Sequence, residues 1–299
     1  MSAALLILPN FVLILVGLLL ARRFDYGRDF WSGLEQLVYY VLFPALLFRS
    51  LAIAKIDFAQ SGWLAACGCA FTLAGFGLSL LAKPLFRLDA KLAATGSQCG
   101  YRFNTYVGLA VAGSLFGTQG VALAALLLGV MIPLANFCAV AVLARHGERG
   151  FLKELVQHPL VVSSVLGFAW NAAALPLPGF AGQTLALLAQ TALPAGLLAV
   201  GAAMRIEPGQ GPVGAHAWWL AVKLAVVPAI ALALARAIHA NATDTQILVL
   251  CGALPTATNA YILAIRMAGD GRAVATQVTV GTALSMVTLP IWLGFVARL

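Results

Sequence analysis

Two stretches hold most of the polar chemistry of an otherwise apolar chain. They are YRFNTYVGLA, Tyr101 to Ala110, and LPTATNAYILA, Leu254 to Ala264. Each sets an asparagine two residues before a tyrosine: Asn104 with Tyr106, and Asn259 with Tyr261. Pro255 has no amide hydrogen and its ring collides with the preceding turn, so a helix should stop there. Thr258 and Asn259 are residue types that cap a new helix start, and so is Asn104, followed by Thr105. A helix start exposes amide hydrogens and the positive end of the dipole, and both favour an anion. Arg102 would add a full positive charge. The chemistry open to these residues, with the hydroxyl of Thr256 among them, is the holding of a negatively charged group.

What must position them is a membrane domain. The chain has 299 residues, of which 62% are hydrophobic and 9% charged, with a mean hydropathy of +0.96. Water-facing domains carry about 25% charged residues. Hydropathy predicts ten spans: 2–21, 33–51, 61–82, 92–116, 119–143, 159–175, 183–204, 216–239, 245–267 and 274–297. The first has no basic flank before it and no clear cleavage site, so it reads as a span and not a removed leader. In lipid, unpaired backbone is tolerated only where it lines a cavity or packs in protein. A polar interruption in span nine therefore points to an internal site.

The halves repeat. Pro9 and Gly17 in span one return as Pro159 and Gly167 in span six, offset by 150. Pro44 in FPALLF returns as Pro194 in LPAGLL at the same offset. Asn104 and Tyr106 return as Asn259 and Tyr261 at offset 155, and Pro133 as Pro290 at 157. Four matches in one order predict an internal repeat, 1–147 and 148–299, forming one intertwined membrane domain. Five spans per copy make the second copy enter the membrane in the opposite sense, an arrangement common among secondary transporters. Span four lacks a proline where span nine has Pro255; Gly96, Gly100 and Asn104 stand there, and the repeat is what predicts a break.

The net charge of +8 does not describe a nucleic-acid surface, because the basic residues are scattered through short loops without interleaved aromatics. With the N-terminus outside, twelve Lys and Arg fall in inside loops and four outside, leaving Arg102 and Lys223 within spans. That asymmetry places both termini away from the cytoplasm. No acid lies in the apolar centre of a span, so Arg102 has no obvious carboxylate partner. A substrate carboxylate would serve, as would snorkelling to the interface or bonds to carbonyls. Asn136, after Pro133, should face inward, toward substrate or a neighbouring helix. The five cysteines read as small buried hydrophobes, and no metal site is expected. Intramembrane enzyme chemistry would need a His-Glu-x-x-His run or Asp-rich pairs, and neither is present.

LVYYVLFPALLF in span two, YRFNTYVGLA in span four, IPLANFCAVAVL in span five and ALPTATNAYILA in span nine resemble the auxin efflux carrier family, in its bacterial malonate-transporter-like branch. The resemblance covers nearly the whole chain. It implies an all-α membrane protein of ten helices, two inverted five-helix repeats with spans four and nine crossing as broken helices, as in PIN proteins and bile acid symporters. It implies elevator-type movement of a small organic anion, malonate- or auxin-like, with no enzymatic activity. By resemblance Asn104, Asn259 and Asn136 line the substrate site and Pro255 sets a crossover. Phe103 stands where plant members pair a second proline, which puts the symmetry of the two breaks in question. Expected partners are a small carboxylate and the lipid bilayer of a bacterial inner membrane. A homodimer is compatible with this, and nucleic acid is not expected. No cofactor is expected, and the coupling ion, Na+ or H+, is left open: no carboxylate relay is visible, while unwound carbonyls and hydroxyls could hold sodium. A sodium-coupled symporter of the bile-acid type is the alternative.

Overall fold

The computed structural model describes residues 3–24, 26–54, 58–143, 159–205, 211–257, 260–261, 264 and 270–299. Among these there is no strand. The helices, in order, are α1 (Ala3–Arg23), α2 (Arg28–Leu37), α3 (Phe43–Ile53), α4 (Phe58–Leu80), the short α5 (Ala82–Leu85), α6 (Ala90–Ser97) and α7 (Thr105–Leu143). After these come α8 (Pro159–Ala172), α9 (Gly179–Ala202), α10 (Val213–Ala221), α11 (Val227–Ala237), α12 (Ala242–Ala253) and α13 (Gly271–Val296). Seven helical runs among the described residues are long and apolar enough to cross a membrane. The chain is thus an all-helical, multi-pass membrane protein.

Two of these runs contain a π turn, and both turns precede a proline. Val38–Leu42 joins α2 to α3 ahead of Pro44, and Val222–Val226 joins α10 to α11 ahead of Pro228. A proline has no hydrogen for the carbonyl four residues back and its ring crowds that carbonyl. Widening the turn relieves the clash without ending the helix, so Pro44 sits in a continuous span. Pro194 likewise lies within unbroken α9.

α7 is two helices joined across one kink. Gly117 has φ 58° and ψ −148°, a backbone open only to glycine at low cost, and it falls between the predicted spans four and five. The predicted spans six and seven correspond to α8 and α9.

Small residues set the closest helix contacts. A Cβ on Gly17 of α1 would strike the carbonyl of Leu198 in α9, and one on Gly201 of α9 would strike that of Ile14 in α1. On the other side, a Cβ on Gly167 of α8 would lie 2.8 Å from the carbonyl oxygen of Phe48 in α3. Close backbone approach through small residues is how membrane helices associate, since lipid is as apolar as leucine. Most of the described acids stand at helix starts, while Glu35 lies in the last turn of α2. Asp89 accepts from Leu92 N–H (2.9 Å) at α6, and Asp270 from Ala273 N–H (3.0 Å) at α13. At α12 the cap is Asn241, whose Oδ1 takes the Asp244 N–H at 2.9 Å.

Candidate functional site

Both polar stretches interrupt their helices. In the first, α6 tightens into a 3-10 turn, Gln98–Gly100, and regular structure lapses over 101–104 before α7 begins. In the second, α12 ends at Ala253 and 254–257 are non-helical. The break in span four needs no proline. A Cβ on Gly100 would collide with the Ser79 hydroxyl, so this glycine lets the tightened turn press against α4. The Asn104 cap then restarts the helix.

The two breaks cross and are bonded to each other. The Asn104 backbone N–H donates to the Pro255 carbonyl at 2.8 Å. The Thr256 hydroxyl donates to the Cys99 carbonyl at 2.7 Å. Each break thus satisfies a backbone group the other leaves open, which matters where no water is on hand. Gly108 makes room for Leu254, whose methyl would lie 2.7 Å from a Cβ there, so the second break beds into the first turns of α7. Asn104, Arg102, Pro255 and Thr256 are all buried.

Asn104 is the N-cap of α7. Its Oδ1 accepts from Tyr106 N–H at 3.0 Å and from Val107 N–H at 3.3 Å. Those two first-turn amides are therefore engaged by the cap and not open to a ligand, as the sequence alone would have them. The group left over is the carboxamide nitrogen: Asn104 Nδ2 is buried and has no hydrogen-bond partner among the described residues. An unpaired buried donor is costly, and such groups call for an explanation.

Arg102 is held by neutral amides. Its Nη1 donates to Gln98 Oε1 at 2.9 Å and its Nη2 to Asn136 Oδ1 at 3.0 Å. Arg102 is 6% exposed and so does not snorkel. Asn136, on the far part of α7, serves as an acceptor to this cation. Gln98 was not among the predicted residues; its spacing of four from Arg102 on a helical stretch was the available signal.

The remaining predicted residues separate. Thr105 is the first residue of α7 and half-buried. Tyr106 stacks on Phe43, ring centroids 4.5 Å apart and 28° between planes, next to Pro44. Gly196, two residues past Pro194, faces the same pair: a Cβ there would lie 2.8 Å from Phe43 and 3.5 Å from Tyr106. Pro44 and Pro194 thus border one aromatic contact with the first crossover. Tyr261 lies instead under the Arg205 guanidinium, 4.7 Å from the ring centroid. The Arg205 backbone is tied to Thr279 of α13, its N–H donating at 2.9 Å and its carbonyl accepting at 2.7 Å. Thr258 and Asn259 lie outside the described residues, as does the predicted boundary at 147–148.

A family model described as "Membrane transport protein" matches residues 145–293. An "Uncharacterized transporter" of Methanothermobacter thermautotrophicus is 25% identical over 293 residues, 96% of each chain. The chain belongs to this transport family. It is the auxin efflux carrier family that the motifs resemble, and its members are transporters and not enzymes. A Rhizobium meliloti protein named "Putative malonate transporter" is 26% identical over 306 residues, 95% of this chain and 92% of its own. The "Uncharacterized transporter YfdV" of Escherichia coli is 25% identical over 311 residues, covering 98% of this chain and 97% of its own. In a membrane transport protein, a buried, bonded crossing of two helix breaks, with the Tyr101 hydroxyl and Asn104 Nδ2 both unpartnered among the described residues, is the natural candidate site.

Proposed function

We propose that the chain is a secondary carrier that moves a small mono- or dicarboxylate across a bacterial inner membrane by elevator-type alternating access. The observation that carries this is Asn104 Nδ2 at the crossing, buried and without a partner among the described residues. A carboxylate oxygen would satisfy it. Asn104, Asn259, Asn136, Arg102, Thr256 and Thr258 are assigned to the substrate, with Thr105, Tyr106 and Tyr261 flanking it. Pro255, Pro44 and Pro194 are assigned to the hinges. The name of the Rhizobium meliloti relative favours a dicarboxylate of malonate size.

The architecture in this reading is ten helices in two inverted repeats, with both termini outside and a homodimer as the assembly. Packing supports the repeat. Gly17 meets the backbone of Leu198, and Gly167 meets that of Phe48. Each residue of the first pair is 150 from one of the second, and the pairing is exchanged, as a two-fold axis requires. The same contacts make α1, α3, α8 and α9 a compact scaffold against which the crossover helices would move.

The experiment is thermal stabilisation of the purified protein against a panel of mono- and dicarboxylates. A ligand that binds the folded state raises its apparent stability by mass action. Stabilisation by malonate or a close homologue that is lost in Asn259→Ala supports the assignment. No response to any carboxylate overturns the anion reading.

A further inference from the structure

A second buried cation sits at the crossover, at the carbonyl end of α12. Lys223 is 1% exposed, and its Nζ donates to the Gly252 carbonyl at 3.0 Å. Gly252 is the second-last residue of α12, where carbonyls have no partner in the helix. In an unbroken helix its oxygen would take the Thr256 N–H. The break at 254–257 removes that bond, and Pro255 has no hydrogen for the carbonyl of Cys251. The carboxyl end of α12 therefore carries buried carbonyl oxygens without partners in the helix, and the negative end of a helix dipole. Ends of this kind are where broken-helix carriers coordinate sodium.

Local structure brings the ammonium there. The π turn Val222–Val226 carries Lys223, and Gly252 lets the start of α11, which follows that turn, close in: a Cβ on it would lie 3.1 Å from Pro228 Cα. A buried lysine is expensive and functional or paired by default. Among the described residues Lys223 bonds no carboxylate; the ionisable group beside it is the Cys251 thiol.

We propose that Lys223 is the carrier's internal cation: its ammonium occupies the carbonyl end of the broken helix where a coupling alkali ion would otherwise sit, so transport needs no sodium. This rests on the carrier reading above and decides between its two coupling schemes. It also gives the crossover a fixed electrostatic design, with a positive group on the carbonyl end and an anion at the donor end.

The test has two readouts. Binding of radioactive sodium to the purified protein requires no substrate, and malonate counterflow in proteoliposomes is compared in sodium and choline buffers. The wild type is expected to bind no saturable sodium and to run within about twofold in the two buffers. Lys223→Ala vacates the carbonyl end; its counterflow is expected to fall at least tenfold in choline and to recover at least threefold in sodium. Saturable millimolar sodium binding by the wild type overturns the proposal, and that arm stands even if the variant fails to fold. A Lys223→Met variant with wild-type counterflow in choline overturns it too, because no cation is then needed. Absence of malonate counterflow in the wild type in both buffers condemns the substrate assignment alone, since the sodium-binding arm still decides the role of Lys223.

Discussion

Asn104 carries two duties on one side chain, and two substitutions should separate them. Its Oδ1 caps α7, while its Nδ2 is idle and buried. Serine caps a helix start about as well as asparagine, so Asn104→Ser should keep the fold and lose only the carboxamide nitrogen. One hydrogen bond to a charged group is worth about 1.5–3 kcal/mol. At 1.4 kcal/mol per decade, that is about a 10- to 150-fold weaker dissociation constant for a carboxylate. Asn104→Ala removes the cap as well and should cost about 0.5–2 kcal/mol of stability on top of the same loss of binding. The assay is equilibrium binding of labelled malonate to purified protein, read beside thermal unfolding. The expected pattern is wild-type unfolding with weakened binding for the serine variant, and loss of both for alanine. An Asn104→Ser protein that binds malonate as tightly as the wild type would refute the assignment of the idle nitrogen to the ligand.

Thr256→Val keeps the volume of the side chain but leaves the buried Cys99 carbonyl without its donor. A loss of about 1–3 kcal/mol is expected, seen as a lower unfolding temperature; an unchanged midpoint would mean the crossing is not held by this bond. Arg102→Gln should weaken carboxylate binding more than binding of a neutral analogue, and Asn136→Leu should do part of the same by releasing the guanidinium. The double variant should then be less than additive, and strict additivity in binding measurements would show that the two side chains act separately. Cysteines placed at Ser2 and Leu299 should both react with a membrane-impermeant maleimide in intact cells; protection of either places that terminus inside.

Much of this arrangement was legible in the residues themselves. Pro255 and Asn104 mark the breaks because backbone chemistry is local: a missing hydrogen and a capping side chain act within one turn. Among the described residues, helix ends lie within about five residues of the hydropathy limits, and Gly117 falls in the gap left between spans four and five. What was not legible depends on partners far along the chain. Asn136 reaches Arg102 across 34 positions, and Lys223 reaches Gly252 across 29. Local patterning carries no signal for either. The π turns before Pro44 and Pro228 were also hidden, since a proline in a membrane helix can kink it, break it or widen it, and packing around it selects among these. The first-turn amides of α7 are a further instance. The same Asn104 that predicts an anion site also occupies the amides expected to form it, which moves the expected contact to its own nitrogen.

The central claim is that the crossing of the two breaks holds the transported anion. Anomalous diffraction from crystals grown with bromomalonate tests it most directly, because bromine marks the ligand independently of the protein density. The account predicts a bromine peak beside the crossing, with a carboxylate oxygen within hydrogen-bond distance of Asn104 Nδ2. A well-occupied peak elsewhere in the membrane domain, with Asn104 Nδ2 still unpaired, would contradict it.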